Sequence, residues 1–256
     1  MKSKLTILGC GSSIGVPRLD GFWGKCKKNN RKNIRSRCSA IIAKGSNFIL
    51  IDTSPDIRHQ LLCNKIKNIS SVIFTHEHAD QTNGLFELRP FFYKYKKKIN
   101  IYGNSKTIHL LKKRHDYLFK NIRGYAAIVK SHIIKRKFSL GKSKEKVNFT
   151  ALQVSHGAIK NTAYIFENTA YISDCNDLSI TKMKEFKNLK ILILDCLKIG
   201  KHPTHFNLEQ SLYVHNCLKP QKTILTNLHH DLDYDFLRQT LPKNVFPAYD
   251  GLKLIL

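Results

Sequence analysis

Acidic residues are scarce in this chain. Its 256 residues hold 18 Asp and Glu against 44 Lys and Arg, a formal net charge of +26. Such an excess attracts phosphates, nucleic acids or anionic lipids. A chain-wide bias toward Lys and Asn would produce it equally, because no single basic tail carries it. The charge supports an anionic substrate and leaves its cause open. There is no CxxC pair, and the seven cysteines are odd in number and widely spaced. This excludes a disulfide framework and a zinc site built from four cysteines, and fits reduced thiols in a cytoplasmic protein. No run approaches the roughly 18 apolar residues of a membrane span, and the apolar part of MKSKLTILGCG is too brief for a signal-peptide core. No internal repeat and no Pro/Ser-rich linker divides the chain, so one domain over residues 1–256 is expected. With 42% hydrophobic and 10% aromatic residues, that domain is expected to fold around a substantial core.

What the chain does have is concentrated in Ser70 to Gly84, SSVIFTHEHADQTNG. Val72-Ile73-Phe74 reads as a buried strand that feeds into Thr75-His76-Glu77-His78-Ala79-Asp80. In an extended segment, side chains two apart point the same way, so His76, His78 and Asp80 can converge at the strand's end. Two imidazoles and a carboxylate suit zinc, manganese or iron.

Other segments repeat the arrangement. Lys4 to Gly9 is an expected strand followed by a glycine-rich loop, GCGSSIGVP. Ser39 to Ala43 and Phe48 to Asp52 form an expected hairpin, with Asp52 placed to support a site. Ser54 and Pro55 open an expected helix running to about Lys65. Leu85 to Phe92 and Ser105 to about Lys120 are expected helices, with a strand at Ile99 to Tyr102 between them. Further on, strands deliver His156, Asp174 and Asp195 at their C-terminal ends, and the strand Thr223 to Thr226 ends in Asn227-Leu228-His229-His230-Asp231. The segment around Arg31 to Arg37 reads either as a solvated loop or as a phosphate-gripping rim, with Arg35 and Arg37 as its candidates.

IDTSPD, THEHADQ, SHG, SDC, HPTH and TNLHHDLDY, in this order after GCGSSIGVP, resemble the metallo-β-lactamase superfamily. Within it, the resemblance is to the group of phosphoribosyl 1,2-cyclic phosphate phosphodiesterases and, more distantly, to tRNA 3′-processing endonucleases. It spans nearly the whole chain. The resemblance implies an α/β fold, a four-layer αββα sandwich with the site along one edge of the two sheets. It implies one metal held by His76, His78 and His156, and a second held by Asp80 and His229, with Asp174 bridging; His230 is the fallback for His229. Family members usually carry histidine directly after the aspartate, where this chain has Gln81. An amide oxygen is a weaker ligand than imidazole for borderline metals, so the expectation is Zn2+ or Mn2+, one or two ions, the second held loosely. The closely spaced N-terminal cysteines that hold a structural zinc in some relatives are missing here.

The chemistry this implies is hydrolysis of a phosphodiester in a small anionic substrate. Asp80 would orient or deprotonate water, and His205 would protonate the leaving alkoxide, with His202 as an alternative. Asp52 and Asp195 would orient ligands. His59, His109, His115, His132 and His215 lie in helical or basic contexts and are not expected to bind metal. An RNA substrate, a scaffold without catalysis, and an ester or thioester substrate are the competing readings. No membrane partner is expected, and a homodimer is left open.

Overall fold

The computed structural model describes residues 1–122 and 124–256. Fourteen strands follow one another along these residues: β1 Lys4–Gly9, β2 Ser39–Lys44, β3 Asn47–Ile51, β4 Ser71–Ile73, β5 Ile99–Gly103, β6 Val129–Ile133, β7 Lys137–Leu140, β8 Val147–His156, β9 Ile159–Phe166, β10 Thr169–Ile172, β11 Ile191–Asp195, β12 Lys222–Thr226, β13 Val245–Pro247 and β14 Lys253–Ile255. They pair into two seven-stranded sheets, β14-β1-β2-β3-β4-β5-β6 and β13-β12-β11-β10-β9-β8-β7. Strands β3 to β6 are parallel to one another, as are β10 to β13, so each sheet presents a row of strand C-termini at one edge.

Successive side chains in a strand face opposite sides of its sheet, and here both sides are apolar, as covered parallel strands require. Leu5, Ile7, Ala40, Ile42, Ile49 and Ile51 meet Tyr164, Phe166, Tyr171, Ile191 and Ile193 between the sheets. The intervening Ile41, Leu50 and Val72 face outward onto Ile57 and Leu61 of the helix Ile57–Cys63 and Ile108 and Leu111 of the helix Ser105–Arg114. On the second sheet Leu192 and Leu194 face outward onto Phe186 and Val214. The result is the expected αββα sandwich. No described helix is long and apolar enough to cross a membrane.

Some boundaries differ from expectation. Ser54 accepts the Asp56 N–H at 3.2 Å in a turn, and the helix begins two residues beyond Pro55, at Ile57. The helix expected to reach Lys120 stops at Arg114, whose guanidinium donates to the Glu77 carbonyl, and a separate turn covers Asp116–Phe119. Strands β6, β7, β13 and β14 escape a reading by pattern, being three to five residues long. The region Leu85 to Tyr95 is helical as expected, starting with a tighter turn at Leu85–Leu88.

Arg35 does not lie on a phosphate-binding rim. Only 1% of it is exposed. Its guanidinium donates to the carbonyls of His229 (3.1 Å) and Leu232 (2.7 Å) and to Asn33 Oδ1 (3.1 Å). It therefore ties the N-terminal loop to the segment after β12. Arg37 pairs with Asp56 at 3.1 Å and is partly exposed. Replacing Arg35 with Met takes the donor from the Leu232 carbonyl and one of two donors from the His229 carbonyl, which keeps the Leu232 N–H, and from Asn33 Oδ1, which keeps the Tyr234 N–H. Each lost bond from a charged donor costs on the order of 1–3 kcal/mol. Arg35→Met is expected to lower unfolding stability by about 3 kcal/mol in urea titration; a loss under about 1 kcal/mol would contradict this role.

Candidate metal centre

β4 is too short to carry the motif. The chain bends at Thr75, is extended at His78 and turns helical at Ala79, the first residue of the short helix Ala79–Thr82. His76 thus follows a bend, His78 projects from extended backbone and Asp80 from a first helical turn, a correction to the fully extended segment expected from the sequence. The His78 carbonyl anchors this turn by accepting from Gln81 N–H at 3.1 Å and Thr82 Oγ1 at 2.8 Å.

His156 closes the group from the end of β8. The rings of His76, His78 and His156 stand edge to face, with centroids 4.6, 5.1 and 5.2 Å apart. One ligand atom from each lies within 4.8 Å of the others, and a second such group is His156, Asp174 and His205.

Hydrogen bonds fix which ring nitrogens face inward. Asp52 accepts from the Thr75 N–H and hydroxyl, both at 2.8 Å, so the Thr75 oxygen is left to accept from His76 Nδ1–H at 3.0 Å. That leaves His76 Nε2 unprotonated, and this atom is buried without a partner. The Thr204 carbonyl can only accept, so His156 Nδ1 donates to it at 2.7 Å, and His156 Nε2 faces His78 Nδ1 at 3.4 Å. Gly157 makes this fit: its φ is +60°, and a Cβ there would sit 2.5 Å from Thr204 Cγ2. Burial pushes His76 down to about 4 and also lowers His78, so these two imidazoles stand neutral at pH 7.

Asp174, 2% exposed, lies beside the triad. Burial raises its pKa, but the imidazoles of His76, His205 and His156 outweigh that and hold it below the ordinary carboxylate value. Asp80 is pushed up to about 6 by burial and by the nearby Asp174 charge. Although burial opposes it, Asp195 bonds His205 Nδ1 at 2.9 Å and raises its pKa to about 9. The structure does not bring His229 into either group. Its Nδ1 meets Asp231 at 3.1 Å and its ring lies 3.6 Å from that of His230. His202 is 5.2 Å from His205, ring to ring. His132 bonds Asn100 and His215 bonds Thr223, and neither belongs to a ligand group among the described residues.

The family profile described as "Beta-lactamase superfamily domain" matches residues 47–229, more than half of the chain. The chain belongs to the metallo-β-lactamase superfamily. A crystal structure titled as a new diphosphatase from the PhnP family is 32% identical, with TM-score 0.91, covering 100% of this chain and 98% of that one. This places the chain in the PhnP-like group of the superfamily. Zn2+-bound PqqB from Methylobacterium extorquens, 16% identical over 99% and 100% of the two chains at TM-score 0.79, shares the fold. So does the short form of human tRNase Z, 14% identical over 98% of each chain at TM-score 0.69. A curated relative named octanoyltransferase, from Porphyromonas gingivalis W83, is 27% identical over 99% of this chain, which spans about half that relative's length (51%).

The donor set of this superfamily member fits one divalent ion. Three imidazoles converge, one with a buried unpartnered nitrogen, and an ionised carboxylate stands beside them. Asn227 was not singled out from the sequence, yet its amide lies among Asp174, Asp195 and His205 at 3.0–3.2 Å. Its signal was positional: it directly follows β12, and Asp174 lies two residues past β10, both in the row of strands whose ends hold the site. Thr75 and Thr204 carried no comparable signal, because their roles depend on which atoms face the histidines. Thr75→Val removes the acceptor that orients His76 and is expected to weaken zinc binding about 10–100-fold in competition titration. Unchanged affinity would contradict that role.

Proposed function

We propose that this protein is a metal-dependent phosphodiesterase acting on a small anionic phosphate ester, with phosphoribosyl 1,2-cyclic phosphate as the leading candidate. The observation that carries the reading is the triad His76, His78 and His156, with the Nε2 atoms of His76 and His156 turned into the group by the bonds at their Nδ1 atoms, beside ionised Asp174. Zn2+ or Mn2+ is the proposed ion; when bound, it supplies Lewis acidity toward a phosphoryl oxygen and lowers the pKa of water.

The chain's own residues complete the chemistry. Asp80, partly exposed beside the triad, orients the attacking water and accepts its proton. His205, held charged by Asp195, donates a proton to the departing alkoxide. Asp195 is itself fixed by accepting the Cys175 N–H at 2.8 Å, which keeps the imidazole aimed. The net charge of +26 supports an anionic substrate and favours RNA as the second reading. The seven free thiols fit a cytoplasmic setting.

Phosphorus NMR of the zinc- and manganese-loaded protein with phosphoribosyl 1,2-cyclic phosphate is expected to show ring opening to a single monophosphate ester. Asp80→Asn and His205→Ala should each lower kcat by roughly 100-fold or more. No turnover of this ester, with cleavage of a diphosphate or an RNA substrate instead, would overturn the substrate assignment. Unchanged turnover in both variants would overturn the residue roles.

A further inference from the structure

The two oxygens of Asp174 face different partners from those that a pair of ions would require. Gln81 Nε2 donates to Asp174 Oδ2 at 3.4 Å, and Asn227 Nδ2 donates to Asp174 Oδ1 at 3.2 Å. Both amides are buried, 0% and 2% exposed. Each also reaches a second carboxylate: Gln81 Nε2 lies 3.3 Å from Asp80 Oδ2, and Asn227 Nδ2 lies 3.1 Å from Asp195 Oδ1. Turning the Gln81 amide over would aim its oxygen at two carboxylates, so electrostatics fixes its NH2 inward. Asn227 Nδ2 also lies 3.0 Å from His205 Nδ1, and its NH2 is set by the carboxylates of Asp174 and Asp195, which outweigh that one N–H. Gln81 keeps this orientation although its Oε1 is left buried without a partner.

An amide NH2 has no lone pair to offer a cation. We propose that the chain holds a single ion at His76, His78 and His156, and that the amides of Gln81 and Asn227 stand where a second ion would otherwise bridge from Asp174. This rests on the metal-dependent reading above and narrows it. The second ligand group does not restore a second site. His156 Nδ1 is engaged by Thr204, so its one free nitrogen serves the triad, and the group is left with two ligands, Asp174 and the Nε2 of His205, whose Nδ1 bonds Asp195. His229 is held by Asp231 and His230 on the far side of the Asn227 turn. Two neutral donors can balance a buried carboxylate as hydrogen bonds do, without adding charge.

The test is zinc stoichiometry of the full chain, read by elemental analysis after metal-free protein is loaded and desalted. The expected value is one ion per chain in the wild type and two in Gln81→His/Asn227→His, which exchanges both donors for imidazole ligands, with folding checked by circular dichroism. Two retained ions in the wild type would overturn the single-ion proposal while leaving metal dependence intact. None retained would overturn both. A folded double variant that stays at one ion would show that the amides are not what excludes the second.

Discussion

An imidazole nitrogen buried without a hydrogen-bond partner costs on the order of 1–3 kcal/mol, and proteins rarely keep one without a use for it. His76 Nε2 is such an atom, and His156 Nε2 and His78 Nδ1 lie 3.4 Å apart in the same group. His76 and His156 are buried while His78 is exposed, so the group is open to an ion on the His78 side. Protonation is opposed by the very burial that creates the problem, as the depressed His76 pKa shows. Everything around the triad serves to hold this arrangement.

The sandwich supplies the rigidity. His76 and His78 leave the first sheet, while His156, Asp174, Asp195 and Asn227 leave the second, all at the edge where parallel strands end. A crevice at the carboxyl ends of strands is where open α/β sheets generally place ligands. Each side chain is then fixed by a bond at its back: Asp52 through Thr75 for His76, Thr204 for His156, Asp195 for His205. Arg35 locks the segment that follows Asn227, which explains why so large a cation is buried away from any phosphate.

The architecture was largely legible because its signals are periodic and local. Strands such as Ile191–Asp195 are apolar on both faces, and the motif after Phe74 places two histidines two residues apart. The candidate ligands His76 and His78 were legible for the same reason, and His156 through the family resemblance of its SHG segment. The amide at Asn227 was not, since it looks like an ordinary turn residue after a strand, and its φ of +63° suits one. Its importance depends on three carboxylate and imidazole groups that arrive from other strands. Arg35 misled in the opposite direction: charge in the basic segment Arg31 to Arg37 suggests a surface, and only the tertiary contacts show that its guanidinium bonds carbonyls inside the fold. The helix at Ser105 was read too long because its apolar spacing continues past Arg114, while the backbone leaves helical geometry at His115 (φ −131°, ψ 41°).

The central claim is that the triad exists to hold an ion. The most direct measurement is a crystal structure of the zinc-loaded protein, with anomalous diffraction collected on both sides of the zinc edge. A zinc peak within bonding distance of His76 Nε2, His78 Nδ1 and His156 Nε2 is the predicted result. A zinc-saturated crystal with no peak among these three nitrogens, or with its zinc bound only elsewhere on the chain, would contradict the account.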